Sequence, residues 1–212
     1  MRKTSRAYVS DVRSQAADAT KARVLRAAKT LFVGGGIDRV TIAQIAKKAG
    51  VSASTVFALY KSKEGILREL IKSALFGRGF QVAIARLKGE TDSLRLIALA
   101  ANVARAIYEA ESSELGLIRG VSAFSPDLRN LEKELEELRF KMQKERVELL
   151  FEQQKQLKGL TLEEARRILW MYTSRDIYRL LVHEAGWTPD RYEEWLSETL
   201  LRALAAPAVK RR

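Results

Sequence analysis

The chain has 212 residues, 47% of them apolar, which is enough for one large or two small domains whose core is stable without staples. It has no cysteine and a single histidine, so a disulfide framework, a zinc ribbon, a thiol nucleophile and metal sites built on histidine clusters are excluded. The net charge is +12, and residues 1–75 carry nearly all of it, with 15 Lys plus Arg against 5 Asp plus Glu, whereas residues 76–212 have 23 against 21. A basic first third on a nearly neutral remainder suits a chain in which one part meets a polyanion; a solubilising basic surface is the plainer alternative.

The pattern along the chain is helical. Over Lys21 to Val33, Val24, Leu25, Ala28, Leu31 and Phe32 recur at spacings of three and four, opposite Arg23, Arg26 and Lys29, which predicts an amphipathic helix. Gly34, Gly35 and Gly36 are expected to stop it. Thr41 opens a short second helix, with Gln44 placed for a capping box and Ile42, Ile45, Ala46 and Ala49 as its inner stripe, and Gly50 closes it. Ser52 can cap a third helix ending at Tyr60. Ser62 can cap a fourth, with Ile66, Leu67, Leu70, Ile71, Ala74 and Leu75 on one side.

Longer helices follow. Thr91, Asp92 and Ser93 precede an apolar helix to about Ala110, and Ser125 with Pro126 starts a long one toward Leu157. Thr161 with Glu164 is another capping box, opening a helix to about Ala185, and Thr188 with Pro189 starts the last, which ends before Pro207. The Glu132, Glu134, Glu136, Glu137 run alternates with Leu131, Leu135 and Leu138 and reads as a solvated helix face whose acids pair with Lys133 and Lys141. The longest unbroken apolar run, Leu96 to Ala101, is far too short to span a bilayer, and the N-terminus has no apolar signal segment. A cytoplasmic chain is expected, with no membrane among its partners.

Residues 41–63, TIAQIAKKAGVSASTVFALYKSK, carry the functional signal. Two short helices about the Gly50, Val51, Ser52 turn have the length and apolar placement of a helix-turn-helix, whose second helix lies in the major groove. Ala46 and Gly50 are small where the helices are expected to approach, Val51 plugs the turn, and Val56 and Tyr60 anchor the second helix from its inner side. Its outer side offers Ser52, Ala53, Ser54, Thr55, Phe57 and Leu59. Hydroxyls can reach bases or phosphates and Phe or Ala can touch a thymine methyl, but no Arg, Asn or Gln is present for a bidentate base contact.

Across residues 21–72 this stretch resembles the tetracycline-repressor (TetR) family: an amphipathic first helix ending in Gly, Thr41 opening the second, IAKKAGVS across the turn, then TVFALYKSKEGIL. The resemblance implies an all-α chain, with an N-terminal three-helix helix-turn-helix DNA-binding domain and a C-terminal helical bundle for ligand binding and dimerisation. The expected division is a basic arm over 1–16, the DNA-binding domain over 17–75, the second domain over 76–206 and a basic tail over 207–212. The arm reads either as a solubilising tail or as a segment reaching an adjacent groove. DNA-facing positions carried over, or adjoining them on the same helix, are Thr41, Ala43, Ser52, Ala53, Ser54, Thr55, Phe57, Leu59, Tyr60, Lys61 and Lys63, with Thr41 and Lys63 on phosphates. Phe57 stands where a tyrosine usually offers its hydroxyl, and Ala58 and Leu59 stand where larger polar or aromatic residues are common, so readout is expected to lean on shape and methyl contacts.

For the second domain the resemblance implies a small-molecule effector and a homodimer. Tyr108, Phe124, Trp170 and Tyr178 supply aromatic surface on helices that also hold Arg105, Arg119 and Arg175; Tyr108, Phe124, Trp170, Arg119, Arg175 and Tyr178 are the candidate ligand contacts, although each aromatic also suits a plain core. An apolar or amphipathic effector with an anionic end met by Arg is expected. Leu180, His183, Trp195, Leu196 and Leu200 are the candidate dimer contacts, on a helix pair around HEAGWTP that resembles the family's last two helices. No nucleophile elbow, phosphate-cradling loop or dinucleotide fingerprint is present, so no enzyme, cofactor or metal is expected. The expected function is a ligand-responsive repressor on a palindromic double-stranded DNA operator, the alternative being a sequence-nonspecific nucleic-acid-binding helical protein.

Overall fold

A computed structural model describes residues 4–35, 37–115 and 126–207, with side chains over 15–35, 37–111 and 129–207. The described residues are helical without a ladder of paired strands, and they divide into two compact units, residues 4–73 and residues 74–114 with 130–207.

The first unit is built on α1 (Thr4–Gly35), α2 (Ile42–Ala49), α3 (Ala53–Tyr60) and most of α4 (Lys63–Leu75). The first helix is longer at both ends than its amphipathic stretch. Residues 15–19 are exposed, so this extension rests on local helix formers such as Ala16, Ala17 and Ala19 rather than on packing. At the other end it runs through Gly34 and Gly35, two glycines weakening a helix without ending it. Val24, Ala28 and Phe32 of α1, Ile45 and Ala49 of α2, Val56 of α3 and Ile66, Leu67 and Leu70 of α4 are all buried. They are the apolar stripes that the periodicity predicts, and α1 packs on α2 as α2 does on α3.

The second unit holds α5 (Arg78–Ala85), α6 (Ser93–Leu115), α7 (Pro126–Met142), α8 (Lys144–Glu152), α9 (Leu162–Tyr172), α10 (Arg175–Tyr178), a π-helical segment Arg179–Glu184, and α11 (Pro189–Leu204). Its core joins Ile97, Ala101, Ala104 and Tyr108 of α6 to Val147 and Leu150 of α8, Ala165 and Leu169 of α9, and Tyr192, Leu196, Leu200 and Leu204 of α11. A smaller cluster seats Phe80 and Ala83 of α5 on Val103, with the Phe76 and Phe80 rings 5.1 Å apart. Gln153 latches the start of α6, accepting from Ser93 Oγ at 2.8 Å and donating to the Thr91 carbonyl at 2.7 Å.

Two helices expected to be continuous are broken. The one from Pro126 turns at Gln143, whose side chain is buried and donates to Thr173 Oγ1 at 2.7 Å, and it restarts as α8, which ends at Glu152. The one from Thr161 stops at Thr173, whose hydroxyl donates to the Leu169 carbonyl at 2.7 Å, and Ser174 takes extended geometry before α10. At both places a buried polar side chain stands at the break, and the two are bonded to each other.

Candidate nucleic-acid interface and ligand-binding core

The turn between α2 and α3 is set by caps legible in the sequence. Thr41 Oγ1 accepts from the Gln44 amide at 3.2 Å while Gln44 Oε1 accepts from the Thr41 amide at 2.8 Å, a complete capping box. Gly50 ends α2 at φ +66°, a left-handed position that glycine adopts without steric cost. A Cβ on Gly50 would meet nothing within 4 Å, so its role is conformational rather than a close approach of helices. Val51, half-buried, donates its amide to the Ala46 carbonyl at 3.0 Å. Ser52 then caps α3, its Oγ accepting from the Thr55 amide at 3.1 Å and lying 2.8 Å from both Ser54 Oγ and Thr55 Oγ1.

Val56 and Tyr60 face inward, whereas Ala53, Ser54, Phe57 and Ala58 are exposed and Thr55 and Leu59 are half-buried. Phe57, 56% exposed, is the largest apolar group offered outward by this helix. Tyr60, carried among the DNA-facing positions, is instead a packing residue: its hydroxyl donates to the Lys21 carbonyl at 3.3 Å. Burial, with Glu69 adding, pushes its phenol above the ordinary value. Lys61 is exposed at φ +65° with its ammonium 6.0 Å from the Phe57 ring centroid. Lys63 donates to the Ile37 carbonyl at 2.9 Å and to the Asp38 carbonyl at 3.4 Å, so its ammonium ties the α1–α2 connection to the start of α4. One of its N–H donors remains for a phosphate. Thr41 and Ala43 are exposed at the start of α2, and Lys47 and Lys48 are exposed in its last turn.

Gly65 is a structural requirement that periodicity did not single out. A Cβ there would stand 1.9 Å from the Tyr60 carbonyl oxygen, so only glycine lets α4 start this close to the end of α3.

In the second unit, Tyr108 and Tyr178 meet with rings 5.8 Å apart, and Tyr192 joins them 4.8 Å from Tyr178. Burial, with Glu109 adding, pushes the Tyr178 hydroxyl up to about 12, and burial drives Tyr192 in the same direction. Tyr108 donates to the Thr173 carbonyl at 3.1 Å. Thr173 Oγ1 also accepts from Arg139 at 2.9 Å, and Arg139 lies 5.2 Å from the Trp170 ring. Tyr108, Trp170 and Tyr178 thus belong to one connected interior, together with Arg139, Gln143, Thr173 and Tyr192, which no sequence motif singles out. A signal was there: Arg139, Gln143 and Arg146 recur at spacings of four and three, the spacing of one face of a continuous helix. Arg119 and Phe124 lie outside the described residues.

Two arginines of these helices are already neutralised. Arg175 pairs with the buried Glu111 at 2.9 Å. Arg105 is held by Glu109 at 3.0 Å, by Glu193 at 2.9 Å and by Asp190, on the wall of an open groove of about 440 Å³ between α6 and α11. Burial works against the Arg105 charge, but the hydrogen bonds it donates to Glu193, Glu109 and Asp190 outweigh it and hold the guanidinium firmly protonated.

The dimer candidates separate by burial. Leu180 and His183 are exposed on the π-helical segment, and Trp195 is half-buried with its ring 5.7 Å from Trp187. Leu196 and Leu200 are fully buried within the unit, because α11 turns its every-fourth-residue stripe, Tyr192 through Leu204, into the core. Neither leucine has surface to offer a second copy.

A family model for bacterial regulatory proteins of the tetR family matches residues 24–70. An HTH-type transcriptional regulator of Mycobacterium tuberculosis (strain CDC 1551 / Oshkosh) is 43% identical over 54 residues, 26% of this chain and 29% of that protein. The chain therefore matches under a third of that curated relative's length. Among solved structures, NalD, the secondary repressor of the MexAB-OprM multidrug efflux pump in Pseudomonas aeruginosa, shares the fold with a TM-score of 0.65 at 21% identity, over 90% of this chain and 98% of NalD. The regulator FadR from Bacillus subtilis, solved with stearoyl-CoA, does so at 0.64 and 17% identity, over 84% and 96%. Residues 24–70 thus match the tetR family of bacterial regulatory proteins, and the helical architecture that follows them shares its fold with solved regulators.

Proposed function

We propose that the protein is a cytoplasmic, homodimeric transcriptional regulator, a repressor that leaves a palindromic operator when a small amphipathic molecule enters its second unit. The observation that carries the reading is the α2–α3 geometry: a capped turn, an inner face locked by Val56 and Tyr60, and an outer face left open in a chain whose first 75 residues hold nearly all the excess charge. Lysines at the ends of these helices supply phosphate contacts that fix register. Sequence is read through Ala53, Ser54, Thr55 and Phe57, by hydroxyl and methyl contacts and by DNA shape, since no bidentate side chain stands on the exposed face. NalD, a repressor, and FadR, solved with stearoyl-CoA, support a repressor with a lipophilic effector. The effector acts only through its differential affinity for the operator-bound and free arrangements.

Selection of bound sequences from a random duplex pool tests the proposal, followed by titration of the winner against a scrambled duplex at physiological salt. The expected result is an inverted repeat bound by a dimer roughly a thousandfold more tightly than the scrambled control. Salt-driven binding blind to sequence would overturn it.

A further inference from the structure

The interior of the second unit contains a positive charge without a counter-charge. Arg146, on α8, is 8% exposed, and among the described residues its guanidinium makes neither an ion pair nor a hydrogen bond. Burial works against its charge, and the carboxylate that favours it is the exposed neighbour Glu145. An isolated buried guanidinium is costly unless something pairs with it. Among the described residues, the other arginines of this unit's interior that could meet an anionic ligand are paired: Arg105 with Glu109, Asp190 and Glu193, Arg175 with Glu111, and Arg139 with Glu136.

A second observation points the same way. Arg139 Nε, Trp170 Nε1, the Tyr192 hydroxyl and Gln143 Oε1 are buried polar atoms without a hydrogen-bond partner. The first three can donate. Native interiors satisfy such groups, and a cluster of unsatisfied ones calls for a missing partner. Arg139 stands near the end of α7, Gln143 at the turn and Arg146 in the first turn of α8, whose Val147 and Leu150 join Ile97 in the core of this unit. An interior rich in donors, cationic and otherwise hydrocarbon suits a molecule with an anionic head and an apolar body.

We infer that this interior is the effector site and that Arg146 is its charge anchor, so that the effector is an amphipathic anion, a carboxylate or a phosphate ester, rather than a neutral or cationic lipophile. The inference rests on the reading of the second unit as a ligand-binding domain.

Calorimetric titration of the full chain with octanoate, octyl phosphate, octanamide and octyltrimethylammonium tests it, on the wild type and on Arg146→Met. The expected result is binding of an anionic probe at least about tenfold tighter than of the amide or the ammonium, with that preference lost in Arg146→Met. The stronger of the two anions identifies the head group. The unliganded variant should melt no lower than wild type, because an apolar side chain of similar volume replaces an unpaired buried charge. Failure of both anions to bind, equal binding of the amide, or a lower melting temperature of unliganded Arg146→Met would each overturn the inference. Operator binding, measured on the same preparations, separates the two readings: anion binding through Arg146 without operator recognition sinks the regulator and leaves the site, and the reverse sinks the site alone.

Discussion

Replacing Gly65 by alanine tests whether the approach of α3 to α4 is built on a missing side chain. The new Cβ would lie 1.9 Å from the Tyr60 carbonyl oxygen and 3.1 Å from its carbon, so the two helices must separate by about 1.5 Å to reach ordinary contact. The obstacle is backbone, which cannot rotate away, and the same oxygen accepts the Ser62 amide at 2.7 Å. Overpacking of this kind costs about 1–3 kcal/mol, and the better helix propensity of alanine returns up to about 1 kcal/mol. A net loss of about 2 kcal/mol is expected, read as the free energy of urea unfolding followed by far-UV circular dichroism. Gly34→Ala is the matched control. Gly34 is helical and a Cβ added to it would meet nothing within 4 Å, so the same chemical change should stabilise by about 0.5–1 kcal/mol. Because Gly65 follows Lys61 and Lys63, its variant should also weaken operator binding while the Gly34 variant leaves it intact. Equal or greater stability of Gly65→Ala would refute the argument.

Three further outcomes follow from the geometry. Lys63→Met should lose about 1–3 kcal/mol of stability through its bonds to Ile37 and Asp38, and should also lower the slope of operator affinity against salt by about one unit; an unchanged slope would leave Lys63 as a cap on the loop and nothing more. Phe57→Ala should leave stability within about 0.5 kcal/mol, since the ring is 56% exposed, yet weaken the selected operator with no change in salt slope; equal affinity would remove Phe57 from the readout. Tyr178, held up to about 12, stays protonated in the fold while unfolded tyrosines ionise near pH 10, so the unfolded state binds fewer protons and stability falls as pH rises from about 10 to 12. The Tyr178 share of that slope is about 1.4 kcal/mol per pH unit, and Tyr178→Phe should remove it; identical pH slopes for wild type and variant would contradict the burial of the hydroxyl.

In the regulator proposed above, operator recognition would join a rigid turn to an adaptable surface. The hydroxyls of Ser52, Ser54 and Thr55 are bonded to one another, which holds the start of α3 in place before any DNA arrives. Outward specificity then falls to small side chains and one phenyl ring. On that proposal such a surface discriminates through methyl groups and groove shape, and its register depends on phosphate contacts, one of them from Lys63, which also braces the fold.

Local chemistry was legible in the amino-acid order. The Thr41–Gln44 and Thr161–Glu164 boxes, the Ser52 and Thr188 caps and the left-handed Gly50 each depend on residues within four positions of one another, so sequence alone settles them. Apolar spacing likewise determined which faces of α2, α3 and α4 turn inward. Long-range partners decided the rest. Leu196 and Leu200 satisfy the spacing of an interface as well as that of a core, and only the packing of α11 against α6, α8 and α9 placed them inside. Thr173 and Gln143, 30 residues apart, stand at the two helix breaks and are bonded to each other across the unit. Arg105 has a local partner in Glu109, four residues on, but only the fold brings Asp190 and Glu193 to it, and only the fold buries Arg146 without an ion pair among the described residues. Helix caps and stripes are short-range and periodic, hence written in the sequence, whereas burial, ion pairing and close approach are properties of neighbours that folding alone brings together.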